Sequence, residues 1–203
     1  MKSIIFWGHS IVFHFFEFLA NKIDFRCKSN FNLKDNIQIH NNGISGLSFK
    51  KLSKMCDGSL EKMVDGAVYD MIVIQFGGND YKKFKYRPAK LAKKIIKLAK
   101  SLKRICKAQT VVICKILPRF EGNRSFSFSY LQAIEYRSWA RTVNKNLKNF
   151  ASDNMIFWNH QRNFGSKKAS CFRNDGVHLN QYGQFLLYKS WRGAIIFALK
   201  CLV

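Results

Sequence analysis

The chain has few acidic residues, little proline and no long apolar run. Only 12 acidic side chains stand against 35 lysines and arginines, giving a net charge of +23, and only two prolines occur in 203 residues. No run of 18 or more apolar residues is present, so we expect no membrane-spanning helix. The apolar start of the chain is interrupted by Gly-His-Ser at residues 8–10 and lacks a small-residue cleavage site, which argues against a signal peptide.

Cysteine pairs and cofactor motifs are also missing. The six cysteines contain no C-x-x-C pair, and the histidines have no partners at metal-ligand spacing. Phosphate-binding and dinucleotide-binding glycine loops are absent, so we predict no metal and no cofactor. Scattered cysteines are typical of buried thiols in a reducing compartment, which favours an intracellular, cytoplasmic protein. They are Cys27, Cys56, Cys106, Cys114, Cys171 and Cys201.

What is present is an alternation of short apolar runs and longer amphipathic segments. This pattern predicts one α/β domain over residues 1–203, a three-layer α/β/α sandwich around a central parallel five-stranded sheet. The Asn-Asn-Gly at residues 41–43 is interpreted as a turn after the second strand. Predicted strands are Ile4–Trp7, Asn36–His40, Met71–Phe76, Thr110–Ile116 and Met155–Trp158. Predicted helices are Ile11–Lys22, Leu47–Cys56, Pro88–Lys107, Leu131–Ala151 and Gln181–Leu202.

Residues suited to hydrolysis follow the predicted strands. Parallel sheets place ligands at the carboxyl ends of their strands, and Ser10, Gly46 and Asn79 each come after one. Near the end of the chain, Asp175 precedes His178 by three residues. A serine nucleophile, a histidine base and an aspartate that orients the base are the parts of an acyl-transfer triad. The backbone N–H groups of Ser10 and Gly46 and the side-chain amide of Asn79 are candidate oxyanion donors.

Each of these motifs also has a simpler structural interpretation. Ser10 suits a helix N-cap, and Asp175-Gly176 suits a surface turn. Gly77-Gly78-Asn79-Asp80 suits a plain turn after a strand. The hydrolytic interpretation is favoured because all the segments occur together and in one order along the chain.

As a set, the motifs resemble those of the SGNH hydrolases, also called the GDSL-like lipase/esterase family. The similarity covers nearly the whole chain and implies the flavodoxin-like SGNH fold. It also implies Ser10 as nucleophile, His178 as base, Asp175 as the residue that orients it, and Ser10, Gly46 and Asn79 as the oxyanion hole. The matching residues are Gly8 and Ser10, then Gly46, then Gly77, Asn79 and Asp80, and finally Asp175 and His178.

The chain departs from this family at one position. His9 stands where the family usually has aspartate, which is not a triad member, so the departure concerns loop geometry and local charge. Relatives that share Gly-His-Ser here resemble esterase-type domains encoded by retrotransposon-like elements in animals. That narrower resemblance implies a retroelement protein, in which an esterase domain travels with nucleic acid.

A lysine-rich amphipathic segment carries much of the positive charge. Its cations fall mostly away from an apolar stripe that begins at Leu91, as on a helix that packs on a sheet. A solvated face is the simpler interpretation, whereas the overall charge favours binding of RNA or DNA, or of an anionic membrane surface. The candidate nucleic-acid contacts are Lys90, Lys93, Lys94, Lys97, Lys100 and Arg104.

The sequence therefore predicts a serine esterase that hydrolyses short acyl or acetyl esters, including lipid esters, through an acyl-enzyme intermediate. The alternative is a basic RNA-binding domain of the same fold with vestigial hydrolysis. Ser10-dependent ester turnover would favour the first hypothesis, and salt-sensitive nucleic-acid affinity would favour the second.

Overall fold

The computed structural model describes residues 1–22, 30–33, 36–55, 60–64, 66–123, 128–152, 154–160, 164 and 169–201. The predicted helix ends at Cys56 and Leu202, and Cys27, lie outside these residues. Cys106, Cys114 and Cys171 are buried, as expected, whereas Cys201 is exposed. Within the described residues, no helix is long and apolar enough to cross a membrane.

Strands and helices alternate along the chain as the sequence pattern predicts. The strands are β1 (Lys2–Gly8), β2 (Ile37–Gly43), β3 (Met71–Gln75), β4 (Thr110–Cys114) and β5 (Met155–Trp158). The helices are α1 (Ser10–Lys22), α2 (Phe49–Met55), α3 (Glu61–Val64), α4 (Tyr81–Phe84), α5 (Pro88–Ile105), α6 (Tyr130–Asn149) and α7 (Gln181–Lys200). Short 3-10 turns lie at Gly78–Asp80 and Ala169–Cys171.

The five strands form one parallel sheet in the order β2-β1-β3-β4-β5. This confirms the predicted five-stranded parallel sheet and places the reversal of strand order between β1 and β3. Parallel sheets of this order bind ligands at that point, outside the carboxyl ends of the strands. Ser10 follows β1 and Asn79 follows β3, so both lie beside the crevice that the topology creates.

Helices cover both faces of the sheet, which gives the predicted three layers. Alternate residues of each strand point to opposite faces, so Ile5 and Trp7 of β1 join one core, and Ile4 and Phe6 join the other. The first core is completed by α2, α5 and α6, and the second by α1 and α7.

Helix α5 shows why the chain folds this way locally. Pro88 occupies its first turn, where the missing N–H costs nothing. The stripe predicted from the sequence turns inward, and each buried leucine or isoleucine contributes about 1.5–3 kcal/mol. The buried residues are Leu91, Ala92, Ile95, Ile96, Leu98, Ala99 and Leu102.

The prediction of a turn at residues 41–43 was wrong. These residues continue β2, because they pair in parallel register with Phe6, Trp7 and Gly8 of β1. An edge strand tolerates polar side chains, since only one of its edges is covered by a neighbour. The other predicted ends agree to within a few residues, but α3, α4 and the 3-10 turns were not predicted.

Candidate active site

Three residues from opposite ends of the chain meet at the carboxyl edge of the sheet. The Ser10 hydroxyl lies 3.2 Å from His178 Nε2, and His178 Nδ1 lies 2.7 Å from Asp175 Oδ2. A ring that donates from Nδ1 to the carboxylate leaves Nε2 free to accept the hydroxyl proton. The three side chains thus stand in the order serine, histidine and carboxylate, which is the order that an acyl-transfer triad requires.

A tight turn fixes the carboxylate. Asp175 Oδ1 accepts from the backbone N–H groups of Val177 at 2.8 Å and His178 at 2.9 Å. Burial opposes ionisation of Asp175, but these two N–H donors and the His178 ring outweigh it and lower the pKa of the carboxyl. Asp175 is therefore an anion that is held in place by three hydrogen bonds.

Gly176 lets this turn sit against the loop that follows β4. Its φ is +67°, and a Cβ would lie 2.1 Å from the carbonyl oxygen of Phe120, so only glycine fits. The Phe120 N–H donates to the Gly176 carbonyl at 2.8 Å, and the Asn123 N–H donates to the Asn174 carbonyl at 2.9 Å. Two backbone bonds thus hold the Asp175–His178 segment in place.

Ser10 begins α1, with the buried His9 immediately before it. His9 Nδ1 accepts from the Ile11 N–H at 3.3 Å, as an aspartate would at a helix N-terminus. Burial is the main cause that lowers the pKa of His9 to about 3, and the nearby charges of Arg119 and His178 add to it. His9 is thus a neutral cap that replaces the usual carboxylate.

Asn79 is oriented as a donor by two neighbours. Arg119 donates to Asn79 Oδ1 at 2.9 Å, and Asn79 Nδ2 donates to the Leu47 carbonyl at 3.0 Å. These bonds fix which end of the amide is nitrogen and leave one N–H of Nδ2 for a ligand. Arg119 itself lies over the rings of Tyr136 and Phe128, at 4.7 and 5.3 Å. Arg119 was not assigned a role from the sequence, and no local motif marks it.

Backbone bonds tie the Gly46 turn to the other motifs. The Ile44 N–H donates to the Gly8 carbonyl at 2.9 Å, and the Phe49 N–H donates to Asp80 Oδ1 at 3.0 Å. Gly46 lies in the exposed turn between these bonds, at φ +68°, a conformation that favours glycine. The three segments around Ser10, Gly46 and Asn79 are therefore linked by hydrogen bonds.

Burial raises the pKa of Asp80 to about 6, against the lowering effects of its bond from Phe49 and of Lys83 and Lys94. Its Oδ2 has no hydrogen-bond partner within the described part of the chain. Asp80 thus holds the Phe49 N–H through Oδ1, while burial of its carboxylate disfavours the charged form.

A buried polar chain beneath the site was missed by sequence reasoning. Gln75 Nε2 donates to the Lys115 carbonyl, which leaves Gln75 Oε1 to accept from His160 Nε2 at 3.0 Å. His160 Nδ1 then accepts from the Ser190 hydroxyl at 3.0 Å. Burial is the main cause that lowers the pKa of His160 to about 3. This chain of neutral groups links β3, the end of β5 and α7.

A second histidine–carboxylate pair lies next to the first. His14 Nδ1 is 2.6 Å from Glu17 Oε2, and the His14 ring meets the His178 ring edge to face, with centroids 4.9 Å apart. His14 follows Ser10 by one helical turn, so both lie on the same side of α1. The i,i+3 spacing of His14 and Glu17 is the sequence signal that could have found this pair.

The predicted basic contacts lie on the outer, exposed side of α5. All six are exposed, and Arg104 forms an ion pair with Glu61 at 3.6 Å. Lys94 and Lys97 also line a groove of about 620 Å³ between α2 and α5, and Lys94 lies 5.4 Å from the Phe49 ring centroid. Further lysines of the groove are Lys50, Lys54 and Lys83. The structure therefore brings a subset of the predicted residues together in a basic groove.

The fold is that of an α/β hydrolase, and its site contains a serine, a histidine and an aspartate in hydrogen-bonded order. Residues 7–191 match the GDSL-like lipase/acylhydrolase family, and the chain belongs to that family of carboxylic ester hydrolases. No curated protein sequence matches the chain.

Solved structures of the same fold are similar over nearly the full length. A GDSL-like lipase from Bacteroides thetaiotaomicron has a TM-score of 0.69 at 17% identity, covering 97% of this chain and 89% of that one. A lipase/acylhydrolase from Enterococcus faecalis has a TM-score of 0.53 at 16% identity, with 96% and 95% covered. An acetyl xylan esterase has a TM-score of 0.58 at 16% identity, with 95% and 99% covered.

Proposed function

We propose that the protein is a serine esterase of short acyl esters, with Ser10, His178 and Asp175 as its catalytic triad. The observation that carries the proposal is the continuous line of hydrogen bonds from Ser10 Oγ through the His178 ring to Asp175. A helix N-cap alone would account for Ser10, but not for a histidine 168 positions away placed within hydrogen-bond distance of its hydroxyl.

In the first half of the reaction, Ser10 Oγ attacks the ester carbonyl carbon while its proton passes to His178 Nε2. The carbonyl oxygen becomes an oxyanion, which the N–H groups of Ser10 and Gly46 and the free N–H of Asn79 stabilise. Asp175 stabilises the resulting imidazolium. The tetrahedral intermediate collapses when His178 returns the proton to the leaving alcohol, which leaves an acyl-serine.

In the second half, water takes the place of the alcohol. His178 accepts a proton from the water, whose oxygen attacks the acyl carbon, and the same donors hold the second oxyanion. Collapse returns the proton to Ser10 and releases the acid. Protons and electrons balance within the triad, and no cofactor takes part.

The space beside Ser10 supports a short acyl group. A cavity of about 20 Å³ adjoins the nucleophile and is walled by His9, Gly78, Arg119 and Tyr136. Room of about 10–15 Å³ is needed for a single water, so a cavity of this size suits a methyl group better than a chain. Acetyl esters, whether of small alcohols or of lipids, are the substrates we expect.

The test is hydrolysis of p-nitrophenyl acetate and butyrate by the wild-type protein beside Ser10→Ala. We expect Ser10-dependent turnover that is faster with acetate, because the longer acyl chain does not fit the cavity. A folded protein whose hydrolysis is unchanged by Ser10→Ala would contradict the assignment of the nucleophile. Faster turnover of butyrate would contradict the acyl-length proposal alone.

A second candidate function is binding of RNA through the basic face of α5. It is favoured by the groove in which Lys50, Lys54, Lys83, Lys94 and Lys97 come together. Among the described residues, none of these five lysines forms a salt bridge. Their ammonium groups therefore remain available for phosphates. Base stacking is not favoured at Phe49, since Lys94 covers its ring.

Anisotropy of a labelled single-stranded RNA, measured at several salt concentrations, tests this candidate. We expect affinity that falls steeply with salt, and a larger loss for Lys94→Gln/Lys97→Gln than for Lys93→Gln/Lys100→Gln. The second pair removes the same charge from the same helix outside the groove. Absence of RNA binding at low ionic strength would contradict this second function. Equal losses of affinity in the two double variants would show that the affinity comes from net charge rather than from the groove.

A further inference from the structure

A groove between α1 and the start of α7 adjoins the catalytic histidine. It has a volume of about 330 Å³ and is separate from the small cavity beside Ser10. Its near end is His14, whose ring contacts that of His178. The lining residues are His14, Glu17, Phe18, Asn21, Arg173, Gln181 and Gln184.

We infer that this groove binds the alcohol part of the ester, and that the alcohol it fits is a carbohydrate. The inference rests on the proposed function, because the mechanism decides which part of the substrate lies there. His178 Nε2 returns its proton to the leaving alcohol, so that alcohol lies on the His178 side of the site. The cavity beside Ser10 is too small to hold more than a short acyl group.

The lining of the groove combines donors and acceptors. Glu17 offers carboxylate oxygens, Arg173 offers guanidinium N–H groups, and Asn21 and Gln181 offer amides with both functions. Sugar hydroxyls both donate and accept, so they satisfy such a mixed set. Phe18 adds one apolar face, against which the C–H groups of a sugar ring can pack.

A residue that lines the groove carries a buried acceptor without a partner. Gln184 is only 2% exposed, and its Oε1 has no hydrogen-bond partner within the part of the chain that the structure describes. An unmet buried carbonyl costs about 1–3 kcal/mol, and a hydroxyl in the groove that drew the Gln184 side chain toward it would recover this cost, whereas an alkyl chain would not. Gln184 therefore favours a polyol over a fatty alcohol.

The two sides of the groove are firmly held. Asn180 caps α7 by accepting from the Gly183 N–H at 2.9 Å, and its Nδ2 donates to the carbonyls of Ser170 and Phe172. On the other side, His14 and Glu17 belong to α1, whose start is fixed by the cap at His9. A groove of fixed shape loses less entropy when a ligand binds.

The test compares two acetyl esters that differ only in the alcohol. Acetate release is measured from a monoacetylated glucose and from ethyl acetate, with p-nitrophenyl acetate as a reference for the triad. We expect the wild-type kcat/KM to be about tenfold or more higher for the sugar ester, since one recovered hydrogen bond of about 1.4 kcal/mol corresponds to tenfold.

Two variants locate the preference in the groove. We expect Gln181→Ala and Gln184→Leu to lower the sugar preference about tenfold through KM, with kcat on p-nitrophenyl acetate retained, because the lost contact serves binding rather than the reaction. Gln109→Ala, which removes an exposed amide immediately before β4, is the matched control and should keep the preference.

The outcomes separate this inference from the proposed function. Equal rates on the two alcohols, a preference for decyl acetate, or an unchanged preference in folded Gln181→Ala and Gln184→Leu would overturn the carbohydrate groove while leaving the esterase intact. Loss of Ser10-dependent p-nitrophenyl acetate hydrolysis would instead overturn the esterase itself, and the inference with it.

Discussion

Two histidine–carboxylate pairs lie side by side among the described residues of this protein, and they differ in that His178 faces a serine hydroxyl. Both have i,i+3 spacing and short contacts, 2.7 Å between His178 and Asp175 and 2.6 Å between His14 and Glu17. Asp175 also accepts two backbone N–H groups, and its partner ring faces Ser10. The Glu17 side chain is 52% exposed. A short histidine–carboxylate contact therefore does not by itself indicate a general base. The backbone donors to the carboxylate and a hydroxyl facing the ring distinguish the two pairs.

The physical difference lies in how firmly each carboxylate is held. Two main-chain donors fix Asp175, so it can keep the His178 ring in one tautomer and orientation. Glu17 lies on the surface of a helix, where water competes for its charge and an ion pair is worth about 0–1 kcal/mol. We therefore expect substitutions in the two pairs to have very different effects.

Among substitutions in the two pairs, Asp175→Asn should lower kcat the most. An amide in place of the carboxylate favours the wrong tautomer of His178 and cannot stabilise the imidazolium, so we expect kcat to fall about 10³–10⁴-fold. Hydrolysis of p-nitrophenyl acetate measures the loss, and a circular dichroism spectrum like that of the wild type serves as the folding control. A loss of less than tenfold would remove Asp175 from the triad.

Asn79→Ala tests the proposed oxyanion donor, a part of the site to which neither histidine–carboxylate pair contributes. The variant removes one oxyanion donor, and we expect kcat to fall about 10²–10³-fold with little change in KM. Arg119→Ala should lower kcat less, since it leaves the amide present but free to rotate. A larger loss for Arg119→Ala than for Asn79→Ala would show that the Asn79 assignment is mistaken.

The fully buried histidines extend the comparison to stability. The pKa of His9 and that of His160 are both lowered from 6.5 to about 3, so below pH 6.5 the unfolded chain takes up protons that the folded protein does not. Stability is thus fully present above pH 6.5 and falls as the pH drops, by about 1.4 kcal/mol per pH unit for each histidine.

Asp80 opposes the loss of stability on acidification over part of the pH range. Its pKa is raised from 3.8 to about 6, so between these values the folded protein takes up a proton and is stabilised. Between pH 6 and 4, the free energy of unfolding should therefore fall with pH about as steeply as it would for one histidine alone. Asp80→Asn removes the opposing contribution and should make this fall steeper. Urea unfolding at pH 7, 6 and 5 measures it. Stability that rises on acidification would refute the burial of neutral histidines.

Glu17→Gln should have the smallest effect on the reaction. Because water surrounds Glu17 and it makes no bond to the triad, we expect kcat on p-nitrophenyl acetate to change by less than about threefold. The same substitution should reduce the preference for a sugar ester if the groove acts as inferred. A hundredfold loss of p-nitrophenyl acetate hydrolysis would mean that the two pairs work as one unit.

Much of this architecture could be predicted from the sequence because its signals are local. The apolar runs and amphipathic stretches gave the five strands and the principal helices, and the short motifs marked Ser10, Asn79 and His178. Residues 41–43 were misassigned, because their polar character indicates a turn and only pairing with β1 extends the strand. Arg119 and Gln75 have no such signal, since their roles depend on partners far along the chain.

The sequence by itself determined the order of strands and helices, the family, and the side chains available for the reaction. It marked Asp175 and His178 through their motif, but it did not show that a second histidine–carboxylate pair, His14 and Glu17, lies against them. Only the tertiary structure shows which histidine meets Ser10 and that the two pairs are neighbours. Parallel strands bring their carboxyl ends to one edge, where Ser10 meets a histidine 168 residues away and the groove opens beside it.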